Sequence, residues 1–161
     1  MADFTVEYLA DYPEHVQACA AWGFGRWGVQ SSESSLQKNL DECQRGASKE
    51  CMPLGVIALN RENNLPVGMG FLRAADNSKW DKLYAPWVSS VFVHYRYRKL
   101  GIARAIVKRL EEEALRLGFE NVYLYSGSAA DLYLKLGYAL IDEEETHKSA
   151  AGYHRLFEKK L

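Results

Sequence analysis

Over residues 4–9, Phe4, Val6 and Tyr8 alternate with Thr5, Glu7 and Leu9, and this two-residue period predicts a short strand. Pro13 then opens a helical stretch with Val16, Cys19, Ala20 and Phe24 along one side. Residues 22–28 hold three aromatics and three glycines in seven positions, which reads as a loop that either lines a ligand or covers the neighbouring core. Ser31 and Ser32 precede a second helix over residues 33–45, with one of the two serines as its N-cap and Gly46 as its end. Apolar runs at residues 52–59 and 67–74, joined by the polar residues 60–64, predict an antiparallel hairpin. Residues 76–82 are polar and predict an exposed loop ahead of Pro86 and Trp87.

The pattern then changes. An apolar run, residues 88–93, breaks into a turn containing Arg96, Arg98 and Lys99, and Gly101 opens a helix. Ile102, Ala103, Ile106, Val107, Leu110, Ala114 and Leu117 recur at three- and four-residue steps as one stripe, with Arg104, Lys108, Glu111 and Glu112 opposite and Gly118 at the C-cap. Residues 122–126 form the next strand, residues 129–136 a short helix ended by Gly137, and residues 138–141 and 153–157 two closing strands around an acidic link. Strand, helix and strand over residues 88–126 make a crossover unit, so its two strands are expected to be parallel and adjacent or nearly so. The fold class is α/β. A strand that feeds a helix through a basic, glycine-bearing turn aims free backbone N–H groups and the positive helix end at one point, a place for a phosphate-bearing ligand.

The chain has 161 residues, 48% of them hydrophobic, and four prolines, which fits one folded domain over residues 1–161. Twenty basic against twenty-one acidic side chains leave a net charge of −1, so no long-range pull toward nucleic acid or an anionic membrane is expected. Any phosphate must be held by a local cluster such as Arg96, Arg98, Lys99 and Arg104. The first residues are acidic where a signal peptide is basic, and no apolar run reaches membrane-spanning length, which gives a cytoplasmic expectation. Cys19, Cys43 and Cys51 lack metal-type spacing and read as reduced thiols.

Arg98, Lys99, Leu100, Gly101, Ile102 and Ala103 fit the R-x-x-G-x-G/A signature of the GCN5-related N-acetyltransferase (GNAT) superfamily, and Val91, Phe92 and Val93 sit where that family's preceding strand ends in V-x-V. A second block, Leu132, Tyr133, Leu134, Lys135, Leu136, Gly137 and Tyr138, resembles its F-Y-x-K-L-G-F element. The likeness runs well from about Trp87 to the C-terminus and only loosely before it. It implies a mixed, largely antiparallel central sheet flanked by helices, with a parallel strand pair around the signature helix. It also implies a single N-acetyltransferase domain that uses acetyl-CoA as co-substrate and no metal. The acetyl group would pass to a primary amine, on a small molecule or a peptide or protein N-terminus, by direct attack in a ternary complex.

By the same resemblance, the backbone from Lys99 to Arg104 holds the coenzyme A pyrophosphate, Gly101 and Ala103 are small so that it can approach, and the main chain of Val91, Phe92 and Val93 bonds the pantetheine arm. Leu100 stands where a lysine or arginine is frequent, which moves weight to Arg98 and Lys99. Tyr133 matches the tyrosine that protonates the leaving thiolate. With reference values of about 10 for a phenol and about 8.5 for a thiol, it is protonated at neutral pH and able to donate. Ser126 occupies the position of an asparagine common in the family. Trp22, Phe24 and Trp27 are acceptor-site candidates.

His94, at a strand end, is a candidate base beside Asp81, Glu33 and the run Asp142, Glu143, Glu144 and Glu145, which could also draw a cationic acceptor. A non-catalytic acyl-CoA-binding or regulatory module on the same fold is the alternative function. A nucleotide-binding reading of the turn finds no G-K-[ST] after it and no G-x-G-x-x-G. The late strands could pair between chains, so a homodimer is possible.

Overall fold

A computed structural model describes residues 3–76, 80–141, 147–149 and 152–161. Strand β1 (Phe4–Tyr8) is followed by helices α1 (Val16–Arg26) and α2 (Leu36–Arg45), the hairpin of β2 (Leu54–Asn60) and β3 (Pro66–Arg73), and strand β4 (Trp87–Val93). Helix α3 (Ile102–Arg116) connects β4 to β5 (Asn121–Ser126), and then come α4 (Ala130–Lys135), β6 (Ala139–Leu140), β7 (His147–Ser149) and β8 (Gly152–Lys160). The sheet order is β1-β2-β3-β4-β5-β8-β6, with β7 pairing β8. Each pairing is antiparallel except that of β4 with β5. The expected mixed sheet with one parallel pair around the signature helix is therefore what forms.

Both faces of β2 and β3 are covered, which is why they read as continuous apolar runs rather than alternating ones. On one face Leu54, Val56 and Ala58 meet Ile102, Ile106, Val107, Leu110 and Ala114 of α3. On the other, Ile57, Leu59, Met69 and Phe71 meet Val16, Cys19, Ala20 and Cys43 of α1 and α2. Helix α3 lies close against β3 because position 70 is glycine. A Cβ there would stand 2.5 Å from Cγ2 of Ile106. Glu113, buried in the same helix, accepts from the Tyr8 hydroxyl at 2.7 Å, Arg109 Nε at 3.1 Å and Arg116 Nε at 2.7 Å, which pins α3 to the edge strand β1.

Four expectations change. The glycine- and aromatic-rich residues 22–26 continue α1 instead of forming a loop. Helix α2 starts at Leu36, and its N-cap is Ser35, whose Oγ accepts from the Lys38 N–H at 3.1 Å, not Ser31 or Ser32. Leu9 leaves the first strand and is buried in a short turn of helix. The segment after Asp76 is not simply exposed. Trp80 is fully buried against Trp87 and Tyr125, with ring centroids 6.5 and 5.8 Å away. The acidic run 142–145 lies outside the described residues. Among the described residues no helix is long and apolar enough to cross a membrane.

Candidate active site

Strands β4 and β5 pair at one position, Trp87 with Tyr123, with the Tyr123 N–H donating to the Pro86 carbonyl at 3.0 Å. Beyond it they diverge. The cause lies on the other side of β4, where Met69 faces Phe92 and Phe71 faces Ser89, so that two β4 residues, Ser90 and Val91, stand opposite the single Gly70. This is a β-bulge, and Ser90 takes φ of 51° in it. The extra residue turns Val91, Phe92 and Val93 away from β5 and opens a groove of about 1660 Å³ that runs between the strands.

At one end of the groove β4 passes into α3. Gly101 caps the helix at φ 82°, a conformation that favours glycine, and Lys99 before it has φ of 62°. The first-turn amides of Ile102, Ala103 and Arg104 have no carbonyl within the helix to bond. Arg98 donates from Nε to the Val93 carbonyl at 3.0 Å, which ties the basic turn to the strand end. Arg98, Lys99, Gly101, Ile102, Ala103 and Arg104 all line the groove. Leu100 is exposed and does not.

Tyr133 forms part of the opposite wall. It is 8% exposed, edge-on to Tyr138 at 5.7 Å and near Phe157 at 6.4 Å, and burial pushes its hydroxyl up to about 12. Ser126 also lines the groove, and its Oγ accepts from the Ala129 N–H at 3.2 Å, fixing the entry to α4, which carries Tyr133. Tyr133, its phenol held protonated by burial, thus lines the same space as a helix N-terminus and a splayed strand, and a phenol so placed is a candidate proton donor to an anion formed there.

The other end of the groove is walled by α1, α2 and the end of β3. Trp27 lines it beneath the Arg26 guanidinium, 5.5 Å from the ring centroid. Trp22 does not line it and packs on Phe92 at 5.1 Å, and Phe24 is also outside its walls. Of the three aromatic candidates the fold thus brings Trp27 to the groove. Cys19 and Cys43 line it too, and burial raises both thiols, Cys43 to about 11, so they stay protonated.

His94 is not among the lining residues. Its Nδ1 accepts from the Arg96 N–H at 3.4 Å and its ring lies 4.6 Å from that of Tyr95. Glu33 lines the groove, whereas Asp81 accepts the Asp76 N–H at 2.8 Å.

Two groove residues carry no motif that the sequence reading could use. Asp76 takes a hydrogen bond from Arg73 Nη1 at 3.3 Å, and its carbonyl accepts from the Tyr125 hydroxyl at 3.3 Å. Burial outweighs the neighbouring guanidinium and raises its carboxyl to about 6. Ser89 is 6% exposed and its Oγ has no hydrogen-bond partner among the described residues. A tryptophan at position 80, buried against Trp87 and Tyr125, is the available signal that the chain after Asp76 is anchored. Among the described residues no group of three or more His, Cys, Asp or Glu side chains could hold a metal ion.

A bulged strand splayed from its parallel neighbour, a glycine-capped helix at the fork and a buried phenol thus border one groove of this α/β protein. Residues 13–138 match the Acetyltransferase (GNAT) family, and the chain belongs to it. No curated protein matches it in sequence.

Solved structures resemble it over nearly the whole chain. An acetyltransferase from Streptococcus agalactiae 2603 has a TM-score of 0.70 at 16% identity, with 100% of both chains covered. A chain of the NatC complex bound to Gag peptide and CoA has a TM-score of 0.73 at 14% identity, with 99% of both covered. An aminoglycoside 6'-N-acetyltransferase complexed with coenzyme A has a TM-score of 0.70 at 14% identity, covering 97% of this chain and 96% of its own. At these identities the likeness is one of fold.

Proposed function

We propose that this protein transfers an acetyl group from acetyl-CoA to a primary amine, with both substrates bound in the one groove. The observation that carries this reading is the meeting of the β4 and β5 fork, the α3 N-terminus and Tyr133 on one continuous space. Two of the structures that share the fold are CoA complexes, which supports coenzyme A as the ligand of the turn.

On this reading the amides of Ile102, Ala103 and Arg104, with Arg98 and Lys99, hold the pyrophosphate. The main chain of Val91, Phe92 and Val93 aligns the pantetheine arm as a further strand would. Ser126 keeps α4 in place. The neutral amine attacks the thioester carbon, Tyr133 donates its proton to the sulfur as the carbon–sulfur bond breaks, and the proton shed by the nitrogen passes through water to restore the phenol. Trp27 flanks the acceptor.

The test is replacement of Tyr133 by Phe, read by thiol release from acetyl-CoA over a panel of primary amines. Loss of a general acid lowers kcat by about a hundredfold or more, with acetyl-CoA affinity changed less than about threefold. Equal loss in both quantities contradicts the assignment.

A further inference from the structure

The acceptor end of the groove holds two polar side chains for which the cofactor chemistry has no use. By strand alternation Ser89 shares a face of β4 with Trp87. Because Trp87 pairs with Tyr123, Ser89 comes level with Tyr125 across the fork. Its hydroxyl is buried in the groove wall without a protein partner among the described residues. A buried hydroxyl left unpaired is costly, and a ligand group that bonds it recovers that cost.

Asp76 lies at the same end, joined to Tyr125 by the 3.3 Å hydrogen bond from the phenol to its carbonyl. Arg73 is shared between Asp76, at 3.3 Å, and Glu42, at 3.8 Å, and the Asp81 carboxylate bonds the Asp76 N–H. Arg45 also borders this cluster. Among the described residues the cluster sets three carboxylates against two guanidinium groups.

We propose that Asp76 and Ser89 seat the primary ammonium of the acceptor, Asp76 through its charge and Ser89 by accepting an N–H. The inference rests on the acetyl-transfer reading for the other half of the groove and adds the class of acceptor. Met69, Phe71 and Phe92 give the groove apolar walls, and Arg26 and Lys38 line it along with Glu33 and Glu42. That arrangement suits one ammonium on a slim apolar chain. Burial, helped by the Asp81 and Glu42 carboxylates and opposed by Arg73, raises the Asp76 carboxyl to about 6, with Tyr125 against its backbone and His154 edge-on to Tyr125. The seat is therefore charged at pH 7.5 and neutral at pH 5, where ammonium binding is lost.

The experiment is calorimetric titration of the full chain at pH 7.5 with n-butylammonium, n-butanol and spermine, with and without coenzyme A. The expected result is saturable binding of n-butylammonium, n-butanol at least about tenfold weaker, as a charge-assisted hydrogen bond requires, and spermine no tighter. Asp76→Asn lowers n-butylammonium affinity to the level of n-butanol. Ser89→Ala, which deletes an unpaired atom and leaves the fold intact, weakens it about threefold. Equal binding of n-butanol, or wild-type affinity in both variants, overturns the proposal.

Should Asp76→Asn fail to fold, the wild-type titration at pH 5 decides, since undiminished n-butylammonium affinity there contradicts the seat. Binding of n-butylammonium as described with no binding of coenzyme A sustains the seat and refutes the acetyl-CoA reading.

Discussion

The two ends of the groove are made from different parts of the chain. The end proposed for the cofactor is mostly main chain: the amides after Gly101, the backbone of Val91, Phe92 and Val93, and two basic side chains from one turn, all within residues 91–104. The end proposed for the acceptor is mostly side chain, with Trp27 from the C-cap of α1, Glu42 from α2, Asp76 past β3, Ser89 from β4 and Tyr125 from β5. A main-chain site makes few demands, chiefly small residues and a positive φ at fixed spacing, and tolerates any side chain elsewhere. A side-chain site exists only when several distant elements reach the right register. On the proposed reading the first end would take coenzyme A and the second would select the individual acceptor.

The strongest way to break this contrast is to place a negative charge where the cofactor end relies on bare amides. Ala103→Glu should lower acetyl-CoA affinity about a hundredfold or more, because like charges juxtaposed cost several kcal/mol. Its ligand-free melting temperature should hold or rise slightly, since an acid in the first helical turn is worth about 0.3–1 kcal/mol. Calorimetry and a melting curve read the two effects, and a parallel loss of both would mean that the turn is structural only.

The aromatic residues sharpen the comparison from the other side. Trp22→Ala removes a ring packed on Phe92 and should cost about 2 kcal/mol of stability, less than a full core truncation because Trp22 is only partly buried. Acceptor KM should stay within about twofold. Trp27→Ala should do the reverse, raising acceptor KM about fivefold, near 1 kcal/mol, with little change in melting temperature. Urea denaturation beside steady-state kinetics separates the two, and exchanged phenotypes would place the acceptor wall elsewhere. The smallest effect is expected at His94, which caps its own turn outside the groove. His94→Ala should leave kcat/KM and its pH profile within about twofold, and a lost acidic limb would restore it as a base.

The same contrast explains what could be read in advance. Residues 88–118 were legible because strand, turn, glycine and amphipathic stripe are all local signals, and the crossover rule then fixed the parallel neighbour. Residues 22–26 misled because glycine beside tryptophan suggests a loop. Gly23 instead serves close packing inside α1, where a Cβ would come within 3.0 Å of Asn39 Oδ1 on α2. Ser35 displaced Ser31 and Ser32 as the cap because the serine run offers several starts, and only the folded chain selects one. Asp76 and Ser89 were invisible for a deeper reason. One sits in a polar loop and the other in an apolar strand, and what distinguishes them, a bond from the distant Tyr125 hydroxyl and a hydroxyl left without a partner among the described residues, arises only in the folded chain.

The central claim, that the fork at Gly101 is a coenzyme A site, is tested most directly by melting curves of the full chain with saturating acetyl-CoA, and with ATP and NAD at the same concentration. A ligand at a hundred times its dissociation constant adds about 2.7 kcal/mol, which for a chain of this length raises the midpoint by roughly 5–10 °C. The account predicts that rise with acetyl-CoA and none with ATP or NAD. A midpoint unmoved by acetyl-CoA, in protein shown to be folded, would contradict it.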